Sequence, residues 1–148
     1  MSHQDWRDSL ANDITNGTVV LHESDTSWFG LLSRRFPVRS SGICWEQLPS
    51  TRFRRSEGPN LLLADNHVEI REFLKEFGSA ASLVPDDICI IVGDNTTSIA
   101  VETNYCALPD VLLKLINEPQ SLYVIAKNGD WCFALTFEED MYFARSLT

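Results

Sequence analysis

The sequence predicts a single α+β domain, a mainly antiparallel sheet with about three helices packed on it. Three observations carry that reading. A chain of 148 residues is near the usual size of one domain and long enough to bury a core without staples. Its strand-like runs come in adjacent pairs separated by short turns, as hairpins do. Helical spacing appears between these runs rather than strictly alternating with them, and no glycine-rich strand-to-helix turn marks a parallel nucleotide-binding sheet.

In chain order, Ser2 and Asp5 precede Trp6, Leu10 and Ile14 at four-residue spacing, with Gly17 beyond, the pattern of a short amphipathic helix closed by a glycine. GTVVLHES then reads as a strand. Residues 31–58 have weak periodicity, prolines and Gly/Ser punctuation, and are expected to form a long irregular Arg-rich loop with one or two short strands or turns. NLLLADN reads as a short buried strand. Asn66 with Glu69 three residues later makes a capping-box signature, and Ile70, Phe73, Leu74 and Phe77 follow on one helical stripe before Gly78. DDICIIVGD and TSIAVETNY read as a hairpin whose first strand is buried on both faces. Leu108, Val111, Leu112, Leu115 and Ile116 form a third helical stripe, with Pro109 near its start and Pro119 after its end.

The last quarter, SLYVIAKNGDWCFALTFEEDMYFA, reads as three strands. A type I′ turn at Asn128-Gly129 sets Val124 opposite Phe133 and Leu122 opposite Leu135. Trp131, Phe133, Leu135 and Phe137 then share one face, and Tyr123, Ile125, Cys132, Ala134 and Thr136 the other, a smaller and mixed set suited to cover by a helix or to partial exposure.

A composition of 44% hydrophobic and 22% charged residues is that of a globular chain. No apolar run reaches the eighteen residues of a membrane-spanning helix, and the N-terminus has neither the basic nor the apolar region of a secretory signal, so a cytoplasmic protein is expected. Cys44, Cys89, Cys106 and Cys132 are widely spaced with no CxxC pair, and read as reduced, mostly buried thiols. The net charge of −9 is uneven: residues 1–30 hold five acids and one Arg, residues 31–85 eight bases and six acids, and residues 86–148 ten acids and three bases. A field of that sign repels nucleic acid and attracts basic partners.

No catalytic constellation stands out. His3, His22 and His67 have no metal-ligand spacing, so neither metal nor cofactor is expected. An enzymatic alternative rests on Cys44, in a Gly-containing loop near several arginines, or on His22. Arg34, Arg35, Arg39, Arg52, Arg54 and Arg55, interleaved with Phe36, Trp45 and Phe53, allow two readings: a phosphate- or RNA-binding adaptor, or an internal clamp that pairs with the chain's own carboxylates. The acids Asp130, Glu138, Glu139 and Asp140 around the last hairpin, with Asp86, Asp87, Asp94 and Glu102 on the other one, are either a solvated rim or a surface built for a basic partner.

Acidic character, small size and the C-terminal pattern SLYVIAKNGDWCFALTFEEDMYFA resemble bacterial immunity proteins of contact-dependent growth inhibition and related polymorphic toxin systems. The resemblance implies a cognate protein toxin, commonly a nuclease with a basic cleft, that an immunity protein plugs with acidic and aromatic residues. On that reading Asp130, Trp131, Glu138, Glu139, Asp140 and Tyr142 are the partner-binding residues, with Arg52, Arg54 and Arg55 a second candidate surface, and no membrane is involved.

Overall fold

Seven antiparallel strands form one sheet in the order β1-β6-β5-β7-β8-β9-β4. A computed structural model of the chain describes residues 3–39, 42–55, 64–93, 99–116, 121–136 and 140–146, with the side chains of 3–5 and 64–67 excepted. The sheet strands are β1 (Val20–His22), β4 (Arg52–Arg55), β5 (Ile88–Gly93), β6 (Ala100–Asn104), β7 (Leu122–Ala126), β8 (Trp131–Leu135) and β9 (Asp140–Arg145). A separate ribbon pairs β2 (Val38–Arg39) with β3 (Gly42–Ile43). The described residues also form five α-helices: α1 (His3–Ser9), α2 (Ala11–Thr15), α3 (Thr26–Arg35), α4 (Ala64–Ala80) and α5 (Leu108–Leu113). The architecture is α+β, built mostly from one large antiparallel sheet.

Strand alternation sends side chains to two separate cores. On one face, Cys89, Ile91, Val101, Leu122, Val124, Trp131, Phe133, Leu135, Met141 and Phe143 pack under Trp6 and Leu10, the α4 stripe Ile70, Phe73, Leu74 and Phe77, and Leu108, Val111 and Leu112 of α5. On the other, Ile90, Val92, Ala100, Ile125, Cys132 and Ala144 pack under Leu32 and Phe36, joined by Ile43 and Leu48. Ile90 and Ile91 are therefore both buried, as expected for β5.

The expected register of the last hairpin holds: Leu122 pairs with Leu135 and Val124 with Phe133. Its turn is of another type. Gly129 N–H bonds to Ala126 O at 2.8 Å and Gly129 is left-handed at φ +80°, whereas Asn128 is not left-handed. A type I′ turn needs positive φ at both central residues. The loop instead spans 127–130 and keeps the same strand pairing. The face holding Tyr123, Ile125, Cys132 and Ala134 is covered by a helix, and that helix is α3.

Much of the segment expected to be an irregular loop is ordered. It contains the end of α3, the β2–β3 ribbon, a 3-10 turn at Trp45–Gln47 and the edge strand β4. Trp28, Leu32 and Phe36, four residues apart, are the helical signal, ended by Pro37, which cannot donate to a helical carbonyl.

Three smaller corrections concern helix ends. The N-terminal helix breaks at Leu10 into α1 and α2, leaving Ile14 exposed, while Gly17 takes the expected left-handed conformation at φ +83°. Helix α4 begins at Ala64, so Asn66 lies inside it rather than capping it, and residues 64–66 are helix rather than strand. Gly78 does not end α4: the Tyr105 ring packs so closely that a Cβ there would stand 2.7 Å from it, and Ser82, at φ 59°, is the left-handed residue beyond the helix.

Candidate functional site

Where β5 begins, β7 turns into β8 and β9 ends, a cavity of about 570 Å³ opens between residues 81–83 and the 126–131 hairpin. Leu83, Ile88 and Trp131 contribute apolar surface; Asp87, Asp130, Lys127 and Arg145 contribute charge. Its acids come from two different hairpins, brought together because β5 pairs with β7.

Each acid is positioned by the backbone around it. Asp87 precedes β5, and its Oδ2 accepts the Val84 N–H at 2.8 Å, closing a local turn. Asp130 follows the left-handed Gly129, and its N–H bonds to Asn128 Oδ1 at 3.0 Å. The Asp130 side chain is 61% exposed and accepts Arg35 Nη2 at 3.2 Å. Arg35 Nη2 also donates to Ser146 Oγ at 3.1 Å, tying the end of α3 to the end of β9. Gly129 is needed for this fit, because a Cβ there would stand 2.9 Å from Arg35 Cγ. Lys127 reaches Glu102 at 3.5 Å, a carboxylate shared with His22 Nε2 at 3.0 Å.

The residues expected to meet a partner do not form one patch. Asp130 and Asp140 lie at opposite ends of the β8–β9 pair, about 20 Å apart at strand rise. Asp140 is an interior residue, its side chain only 9% exposed, and its two oxygens accept Arg55 Nε at 2.9 Å and Nη2 at 3.3 Å. Trp131 is also interior, stacked on Phe143 at 5.5 Å and meeting Tyr105 edge-on at 5.6 Å. Tyr142 is half-buried, stacked on Trp45 at 4.8 Å and 5.0 Å from the exposed Phe53. Glu138, Glu139 and Phe137 lie outside the described residues.

Among the described residues, three of the six arginines, Arg35, Arg54 and Arg55, follow the internal-clamp reading. Arg54 bridges to Glu69 at 3.6 Å and Glu72 at 3.5 Å, joining the edge strand β4 to α4, and Arg55 holds Asp140. Glu69, expected in a capping box, faces this bridge. Arg52 differs: among the described residues its guanidinium lies over the Phe77 ring, at 6.0 Å.

The residues considered for catalysis have structural surroundings. Cys44 is buried at the start of the 3-10 turn, its N–H bonded to Pro37 O at 2.7 Å. His22 lies against Trp28, with ring centroids 5.4 Å apart, and no hydroxyl or thiol among the described residues hydrogen-bonds to it. Burial pushes the Cys89 and Cys132 thiols well above their ordinary values, opposite to what a nucleophile needs. Burial likewise raises the Tyr105 hydroxyl, which donates to Leu74 O. Among the described residues, no group of three or more His, Cys, Asp or Glu side chains could hold a metal ion, and no helix is long and apolar enough to cross a membrane.

No protein-family model matches the chain, and no curated protein matches it. The sequence reading missed Arg35, Lys127 and Arg145 as parts of this site. The four-residue spacing in α3 was the available signal for Arg35; only the sheet order places the other two.

Proposed function

We propose that the protein is an immunity protein: a cytoplasmic binding protein that neutralises a cognate basic toxin domain, a nuclease being the class the resemblance implies, by covering its cleft without turnover. The observation that carries the reading is the convergence of Asp87 and Asp130 on one cavity, each set by paired strands and closed turns. Carboxylates held this way meet a basic surface without an ordering cost at binding. Complementary charge then accelerates association and fixes register. The internal pairing of Arg54 and Arg55 supports the same reading, because these two cations of the Arg-rich segment are engaged within the chain rather than offered to an acidic partner.

The test is coexpression and pulldown against toxin domains encoded beside this gene, followed by binding kinetics at low and high salt. Asp130→Lys is expected to slow association about tenfold at low salt, a steering effect that salt screens. Glu138→Lys with Glu139→Lys reports separately on the segment between β8 and β9. A cognate complex unmoved by Asp130→Lys and weakened by the Glu138/Glu139 pair would transfer recognition to that segment. Absence of any neighbouring-toxin complex would remove the immunity reading.

A further inference from the structure

A second groove, of about 250 Å³, lies beside the first and shares Ala81 and Arg145 with it. Two guanidinium groups, Arg52 from β4 and Arg145 from β9, line it together with Ser50, Pro49 and Ala80. Strand pairing puts them on one face: Arg52 is opposite Phe143, and Arg145 is two residues further along β9, so both point the same way. The backbone beneath Arg145 is pinned, because its N–H bonds to Ser50 Oγ at 2.9 Å.

Among the described residues neither Arg52 nor Arg145 has a carboxylate partner, in a chain of net charge −9. Arg54 and Arg55, their neighbours on β4, are both paired. The cation–π placement of Arg52 at 6.0 Å from the Phe77 ring is a weak use of an exposed charge. Nor does the end of α4 call for these cations, because its last carbonyls are closed by backbone donors: Ala81 N–H to Phe77 O at 2.9 Å and Leu83 N–H to Gly78 O at 2.8 Å. Two like charges held on one wall of a concave site favour an oxyanion between them, since guanidinium forks bind carboxylate and phosphate oxygens in pairs. The room equals about eight water molecules, and Ala80, Ala81 and Pro49 supply apolar walls.

We propose that Arg52 and Arg145 form a binding site for a small organic anion with a carboxylate or phosphate head and an apolar body. The site is independent of the immunity reading and lies beside the cavity that Asp87 and Asp130 line. Amide chemical shifts of the ¹⁵N-labelled full chain are followed while benzoate, phenyl phosphate or inorganic phosphate is added at low salt, with benzamide as the uncharged control.

The expected result is saturable binding of benzoate or phenyl phosphate, with a Kd of about 1 mM or tighter, and shifts centred on residues 50–52, 80–81 and 145. Whichever anion binds more tightly assigns the head group, and a response to inorganic phosphate equal to that of phenyl phosphate denies the apolar body. Arg52→Gln and Arg145→Gln each raise Kd about tenfold, and Arg→Lys at either position recovers part of the loss, because charge returns without the fork. Titration of the unaltered chain keeps the test decisive if a variant fails to fold. Shifts as large with benzamide, shifts centred elsewhere, no anion binding by about 10 mM, or affinity unchanged in both Gln variants overturns the proposal.

Discussion

Asp130 and Asp140 sit at the two ends of one strand pair and have opposite surroundings. Asp130 stands at a turn tip, largely exposed, with a long single contact to Arg35. Asp140 opens β9 beneath the edge strand, almost wholly buried, with Arg55 placed across both its oxygens. Both are aspartates beside apolar strands, so the residue type does not decide the role. What decides it is the neighbouring element: β4 lies alongside β9 and delivers Arg55 opposite Asp140 in register. At the other end the neighbour is a helix terminus, and Arg35, itself mostly buried, reaches one oxygen of an exposed Asp130. One acid is therefore part of the fold and the other part of the surface.

Phe133, fully buried midway along β8, tests whether the two ends share one scaffold. Its replacement by Ala is expected to cost about 3 to 5 kcal/mol, read from urea midpoints, and to loosen both ends together. Asp140→Lys is expected to cost about 3 kcal/mol, since it puts an unpaired cation in a buried position beside the largely exposed Arg55. An unchanged melting temperature in that variant would erase the contrast.

Raising the pH probes the strands between the two ends. Burial raises the Cys89 and Cys132 thiols, so the folded chain keeps protons that the unfolded chain releases. Their contribution is fully present below the unfolded thiol value of about 8.5 and is lost as pH rises from there toward the higher folded values. Stability should fall above that pH by up to about 1.4 kcal/mol per unit for each thiol. Cys132→Val should reduce the slope, and a flat profile would contradict the sign. Asp130→Lys is the smallest effect, within about 1 kcal/mol, and a large loss there would place Asp130 with Asp140 as a folding residue.

Legibility in the sequence followed the range of the interaction. The β7–β8 register was readable because side-chain alternation fixes it although the turn is not type I′, and the start of α5 because Leu108, Val111, Leu112 and Pro109 agree, although the helix ends at Leu113, before Leu115 and Ile116. Helix α3 was obscured by Gly30 and by two arginines at its end, although Trp28, Leu32 and Phe36 carry the spacing. The apparent capping box at Asn66 and Glu69 shows the converse. The motif is present, but the helix begins earlier and Glu69 is drawn to Arg54 on another element. Of the candidate site, Asp130 and Asp87 were identified as acids of the two hairpins, whereas the cavity they share, and the burial of Asp140 and Trp131, were not.

The sequence by itself determined an α+β chain with hairpins, a two-sided buried β5, the pairing of the last hairpin and an acidic C-terminal half, because each depends on residue type and spacing over a few positions. Tertiary structure decided which charges were left for solvent. The order β1-β6-β5-β7-β8-β9-β4 brings Arg55 to Asp140, Arg54 to Glu69, and Asp87 beside Asp130. Those pairings are between residues 15 to 85 positions apart, and an ion pair forms by distance in space, on which separation along the chain is silent.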